Sequence, residues 1–252
     1  MLNQVTLQKM QRMKLFGMAE ALSRPVRGSD RADLSFEDRL GLVIDAEWEA
    51  REGRKLTNRL RQARLRYQAS LEDVDYAPRR NLDKKVVLAL GTCEWIREQQ
   101  NVVITGAAGT GKSYLACALV ERACRSGYAA AYVRSARQLH DLAVARGDGS
   151  YRRQLVKLAK LDVLAIDDWL LTPPTDSERR DMLEVLEDRS EQRSTIIATQ
   201  LPVKSWHEVI GEASVGDAIC ERIVHAAHHI LLKGPSMRGE KAAKAKRAET
   251  AE

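Results

Sequence analysis

Residues 106–113 read GAAGTGKS, and this short stretch constrains the fold more than any other part of the chain. All of its positions fit the pattern G-x-x-x-x-G-K-[ST]. It follows the apolar run NVVIT (101–105) and opens a helical pattern from Lys112 to about residue 125. Strand, loop, helix is the context in which such a loop wraps phosphate. Gly106, Gly109 and Gly111 let the backbone come close to an anion with no Cβ in the way. Successive N–H groups and the helix N-terminus then face it. Lys112 is placed to reach the β- and γ-phosphates, and the Ser113 hydroxyl to ligate Mg²⁺. Ala107, Ala108, Thr110 and Tyr114 complete the residues expected at a bound ATP.

The partner acids lie downstream. Residues 161–168, LDVLAIDD, form an apolar strand tipped by two carboxylates. Such a pair is costly in an apolar setting unless a cation is near. Asp167 is placed to hold the magnesium shell, and Asp168 to orient or deprotonate an attacking water. The next strand pattern, TIIAT (195–199), is followed by Gln200, a polar tip suited to positioning water. Pro202 then opens a helix, as a first-turn proline does.

From about residue 84 onward, five nearly unbroken apolar runs (101–105, 129–134, 162–166, 195–199, 230–232) alternate with helical stretches long enough to be crossovers. That alternation predicts an α/β fold: a parallel sheet, buried on both faces by helices. Two of the helices fall between the second and third strands, in 135–160. Residues 1 to about 75 show only helical periodicity. One helix is expected over 6–22, weakened at Gly17, then a turn-rich break over 23–33. Ser35 is a fair N-cap with Asp38 three residues on. A second helix follows to about Trp48, and a basic one after it. Residues 71–83, with Pro78, read as a linker. The expected division is a small all-helical N-terminal domain (1–75), an ATPase domain (76–237) and a charged tail (238–252).

Charge is unevenly spread. The chain of 252 residues carries 41 basic and 35 acidic side chains, or 41 − 35 = +6. Segment 51–66 alone has Arg51, Arg54, Lys55, Arg59, Arg61, Arg64 and Arg66 against Glu52, again 7 − 1 = +6. A basic helix face suits the phosphates of duplex DNA. A solvated helix face is the other reading of the same residues. Four cysteines without a CxxC pair read as reduced thiols of a cytoplasmic protein, with neither a disulfide frame nor a zinc site. No apolar run is long enough to cross a membrane, and the N-terminal residues lack the apolar core of a secretory signal. His225, His228 and His229 have no acid or thiol convincingly placed beside them and read as structural.

Taken together, GAAGTGKS, IDDW, LGLVIDAEWEAREGRKLTNRLRQARLR, DVDYAPRRNLDK, ATQLPVKSWHE and ICERIVHAAHHILLKGPSMR resemble the IstB-like ATP-binding proteins. These are helpers of certain bacterial insertion sequences, similar to the DnaC helicase loaders and DnaA initiators of the AAA+ class. The resemblance spans almost the whole chain. It implies an AAA+ type P-loop fold, ATP bound between neighbouring subunits, ATP-dependent homo-oligomers on duplex DNA, and a partner transposase that the assembly directs and stimulates. It implies slow, regulatory hydrolysis. Gln200 falls at the first sensor, where many relatives have Asn. Arg222 falls at the arginine finger, which acts on a neighbour's nucleotide. Arg238 falls at a second sensor. Asp168 stands where many AAA+ proteins have Glu. Arg152 and Arg153, with Lys157 and Lys160, fall where initiator-like relatives carry an extra helix that meets DNA. Other readings are a DnaC-like helicase loader, a small-molecule P-loop kinase, and a DNA scaffold with an idle nucleotide site.

Overall fold

A computed structural model of the chain describes residues 4–23, 34–225 and 227–237. The contacts divide it into two compact units, Met1–Asn58 and Arg59–Glu252. The division lies earlier than the composition change near residue 75, and it falls inside a helix.

The first unit contains α1 (Gln4–Arg12), α2 (Phe16–Ser23) and most of α3 (Phe36–Ala63). The single helix expected over 6–22 is in fact two. Lys14 sits at φ 60, with Leu15 N–H on Met10 O at 2.8 Å and Lys14 N–H on Gln11 O at 3.0 Å. That is a Schellman closure with lysine where glycine is usual. Ser35 caps α3 as expected: its Oγ accepts the Asp38 N–H at 3.1 Å. The two helices anticipated over the following residues are one continuous helix to Ala63. Glu47 on α3 reaches the first turn of α2, accepting the N–H groups of Gly17 (2.7 Å) and Met18 (3.2 Å) on Oε2. It thus satisfies donors that the helix itself cannot. Arg51 donates to its Oε1 at 2.7 Å, and this bond, with the two backbone donors, holds the carboxyl below its ordinary range.

The second unit begins with the end of α3. A 3-10 turn (Pro78–Arg80) is followed by α4 (Lys84–Gly91) and α5 (Glu94–Arg97). Then come β1 (Asn101–Gly106), α6 (Lys112–Arg125), β2 (Ala130–Arg134), α7 (Ser135–Gly147), α8 (Tyr151–Ala159) and β3 (Val163–Asp167). The unit continues with α9 (Asp176–Glu187), β4 (Ser194–Thr199), α10 (Trp206–Ile210), α11 (Ala213–Val224) and β5 (Ala227–Leu232). The strands form one parallel sheet in the order β2-β3-β4-β1-β5. Every strand expected from the sequence is present, as are both helices between β2 and β3.

On one face Val103, Leu164, Ile166 and Ile197 pack against Leu139, Met182, Trp206, Ile219 and others from α7 to α11. Helix α6 covers the other face, contacting β1 to β4. The central strands are closed to solvent on both sides, which explains their unbroken apolar sequences. With β1 held between β4 and β5, the loop that follows it emerges at the carboxyl edge of the sheet, where ligands of such sheets bind.

Candidate functional site

The loop 106–113 leaves β1 and turns into α6, with Gly111 as N-cap at φ +99. Lys112 is buried, and its Nζ donates to Ala107 O at 2.8 Å. Thr110 Oγ1 donates to the same carbonyl at 2.8 Å. The lysine is therefore folded back over the loop, its ammonium held by backbone at the mouth of the helix. Gly109 shows why its residue type matters. At φ +80 a side chain would be strained, and a Cβ there would lie 2.1 Å from Ser236 Oγ. Its carbonyl accepts the Met237 N–H at 2.9 Å. The segment after β5 is therefore seated directly on the phosphate loop.

Beside the loop lies a cavity of about 490 Å³, within the range of small-molecule sites. Its walls include Tyr67, Asp75, Leu82 and Met237, together with Thr110 and Tyr114. The stretch read from sequence as a linker thus forms one wall. Tyr67 and Tyr114 approach with ring centroids 6.4 Å apart. Arg80 anchors the wall. It is buried, with Nε on Asp75 Oδ2 at 3.3 Å and Nη1 on Pro235 O at 3.2 Å and Thr110 O at 3.4 Å. Sequence reasoning passed over these residues because an irregular wall has no periodicity. The available signal was the stretch DVDYAPRRNLDK, which carries part of the family resemblance but no nucleotide-binding motif.

The acid pair stands where the sequence placed it. Asp167 ends β3 and is only 1% exposed. Its Oδ2 accepts the Tyr132 hydroxyl, and Arg66 Nη1 lies 3.9 Å away. Burial pushes the Tyr132 phenol up, and the bond to Asp167 adds to it, so the hydroxyl stays protonated and donates. The hydrogen bond with Tyr132 in turn raises Arg66. Asp168 follows at φ 55, and its Oδ2 accepts Arg134 Nε at 3.1 Å. Among the described residues no group of three or more His, Cys, Asp or Glu could hold a metal alone. A hydroxyl at Ser113 and a buried carboxylate at Asp167 do fit Mg²⁺. That ion takes oxygen ligands and is usually held by one or two carboxylates plus substrate phosphates.

The remaining candidates are scattered. Gln200 is exposed one residue beyond β4, whose Thr199 is in register with Thr105 of β1. Arg222, in the last turn of α11, ion-pairs with Glu187 and donates to Ala218 O at 2.8 Å. Neither lines the cavity. Arg238 lies outside the described residues, as does the tail to 252. The basic segment is more divided than its sequence suggested. Arg51 and Arg54 pair with Glu47, and Lys55 with Glu52. Arg59 Nε donates to Cys124 O at 2.9 Å, at the C-terminal end of α6, and Arg66 faces Asp167. Arg61 and Arg64 are exposed, as are Arg152 and Arg153 on α8. His228 Nε2 lies 2.6 Å from Gln100 Oε1, a structural contact. No helix among the described residues is long and apolar enough to cross a membrane.

Solved structures share this architecture. The DnaC helicase loader matches with a TM-score of 0.52 at 18% identity, over 66% of this chain and 98% of that one. A replication initiator DnaA, bound to AMPPCP and single-stranded DNA, matches with a TM-score of 0.56 at 15% identity, over 72% and 56%. Fold, loop and acid pair together define a P-loop nucleotide-binding protein of the AAA+ type. The sequence places it more narrowly. The description "IstB-like ATP binding protein" matches residues 8–245. An insertion sequence ATP-binding protein of Sinorhizobium fredii is 47% identical over 238 residues, 94% of this chain and 97% of that protein. One from Pseudomonas fluorescens is 44% identical over 203 residues, 80% and 88%. The chain belongs to the IstB-like ATP-binding proteins of insertion sequences.

Proposed function

We infer that the protein hydrolyses ATP slowly and uses the bound nucleotide to assemble on target DNA and recruit or stimulate a transposase. The observation that carries this reading is a complete phosphate loop that lines a cavity of about 490 Å³, with an acid pair, buried at Asp167 and part-exposed at Asp168, at the carboxyl end of β3. Membership among insertion-sequence ATP-binding proteins supports the transposition role. It also favours that role over a helicase loader, whose ATPase core would be much the same.

In this reading Lys112 leaves Ala107 O for the β- and γ-phosphates, and the 107–113 N–H groups cradle them. Magnesium, when bound, neutralises charge that develops on the phosphates. Ser113 and Asp167 hold it. Asp168 accepts the proton of the attacking water or orients it, while Gln200 positions that water. Arg222 acts on the nucleotide of a neighbouring subunit, which makes oligomerisation a condition of turnover. Arg61, Arg64, Arg152 and Arg153 supply exposed charge for DNA phosphates, and such contacts read backbone more readily than sequence. The helical unit receives the transposase, DNA or both.

The test is binding of the purified protein to duplex DNA with ATP, ADP or no nucleotide, followed by sizing. Large ATP-dependent assemblies are expected, lost in Lys112→Ala and reduced in Arg222→Ala. DNA binding indifferent to nucleotide, together with capture of a helicase rather than a transposase, would overturn this reading in favour of the loader.

A further inference from the structure

The hydrogen bond between Tyr132 and Asp167 ties β2 to the end of β3. Strands β2 and β3 are parallel, with Arg134 opposite Asp167 and Tyr132 opposite Ala165. Side chains two apart on a strand share a face, so Tyr132 lies diagonal to Asp167, within reach of a long ring. Both residues are buried, Tyr132 at 5% exposure. The hydroxyl donates to Oδ2, and Arg66 Nη1 approaches that same oxygen at 3.9 Å. Both of these contacts fall on Oδ2. A carboxylate fixed through one oxygen presents the other in a set direction, and groups behind a metal ligand commonly fix its orientation in this way.

We propose that Tyr132 is a positioning residue for the magnesium ligand. Its hydroxyl pins Oδ2 of Asp167 and so aims Oδ1 at the cation held with ATP. Arg66 supplies countercharge to the buried carboxylate from the solvent side and is not the anchor. This rests on the assignment of Asp167 to magnesium above.

The test compares ATP affinity with excess Mg²⁺ and with EDTA, using a fluorescent ATP analogue, and takes the ratio as the magnesium increment. Asp167→Asn should abolish the increment. Tyr132→Phe keeps the ring in its place and removes only the hydroxyl. It should reduce the increment about tenfold, the lower end of what loss of a group behind a ligand costs. Its affinity in EDTA and its melting temperature should stay near those of the wild type. Arg66→Gln, at a half-exposed position, should keep the increment within about threefold. An unchanged increment in Tyr132→Phe overturns the proposal, as does an equal loss with and without Mg²⁺, which would mark damage to the fold. A loss in Arg66→Gln as large as in Asp167→Asn would move the anchor to the guanidinium and overturn it too. If wild type shows no increment, or Asp167→Asn keeps it, the magnesium assignment itself falls.

Discussion

Along β1, Val102, Val103 and Ile104 have no exposed surface. Along α3, Phe36, Leu40, Ile44 and Trp48 recur every fourth residue and are 67%, 44%, 48% and 66% exposed. The sheet unit is organised by apolar burial on both faces, with the phosphate loop and the acid pair following the carboxyl ends of β1 and β3. In the helical unit the described buried residues are Gly17, Ala19 and Glu47, so a carboxylate and close backbone approach take the place of a core. Stability in the first should follow side-chain volume. In the second it should follow hydrogen bonds and backbone spacing, and its apolar side chains should matter little to folding.

Four substitutions sharpen or break that contrast. Lys112→Ala should lower ATP turnover roughly 10²–10³-fold, the cost of removing a preorganised charge at a reacting group. Turnover by phosphate release is the measurement, and hydrogen exchange in α1 to α3 should be unchanged. Ile104→Ala should cost about 2–5 kcal/mol, because the cavity left in a closed sheet cannot collapse. Urea denaturation reads that loss. Gly17→Ala should cost about 1–3 kcal/mol as an overpacked contact. A Cβ there would lie 2.4 Å from Ala46 O, with backbone rather than a yielding side chain in the way. Faster exchange confined to α2 and α3 would show it, with ATP affinity retained. Ile44→Ala should stay within about 0.5 kcal/mol. A cost near that of Ile104→Ala would mean that the apolar face of α3 contributes to folding, and the contrast would fail.

The sheet was legible in the sequence because doubly buried strands leave apolar runs that end in polar tips, and because the loop motif fixes which strand comes first. The Ser35 cap was legible for the same kind of local reason. The break at Lys14 was not, since neither glycine nor proline marks it, and Gly17, which looked like the weak point, lies within α2. The segment from Tyr67 to Leu82 carries no period because its role is to wall a cavity. The place of Tyr132 depends on strand register, which a single run such as AAAYVR does not contain. Arg59 and Arg66 look alike in sequence to Arg61 and Arg64. The fold brings Arg59 to the end of α6 and Arg66 to Asp167.

The seating of Ser236 and Met237 on Gly109 matters to anyone who redesigns the chain. A shortened version that stops ahead of Ser236 would strip the donor from the Gly109 carbonyl and open space beside the loop. Such a version could lose nucleotide with every loop residue intact, and its silence would be mistaken for a defect in the motif.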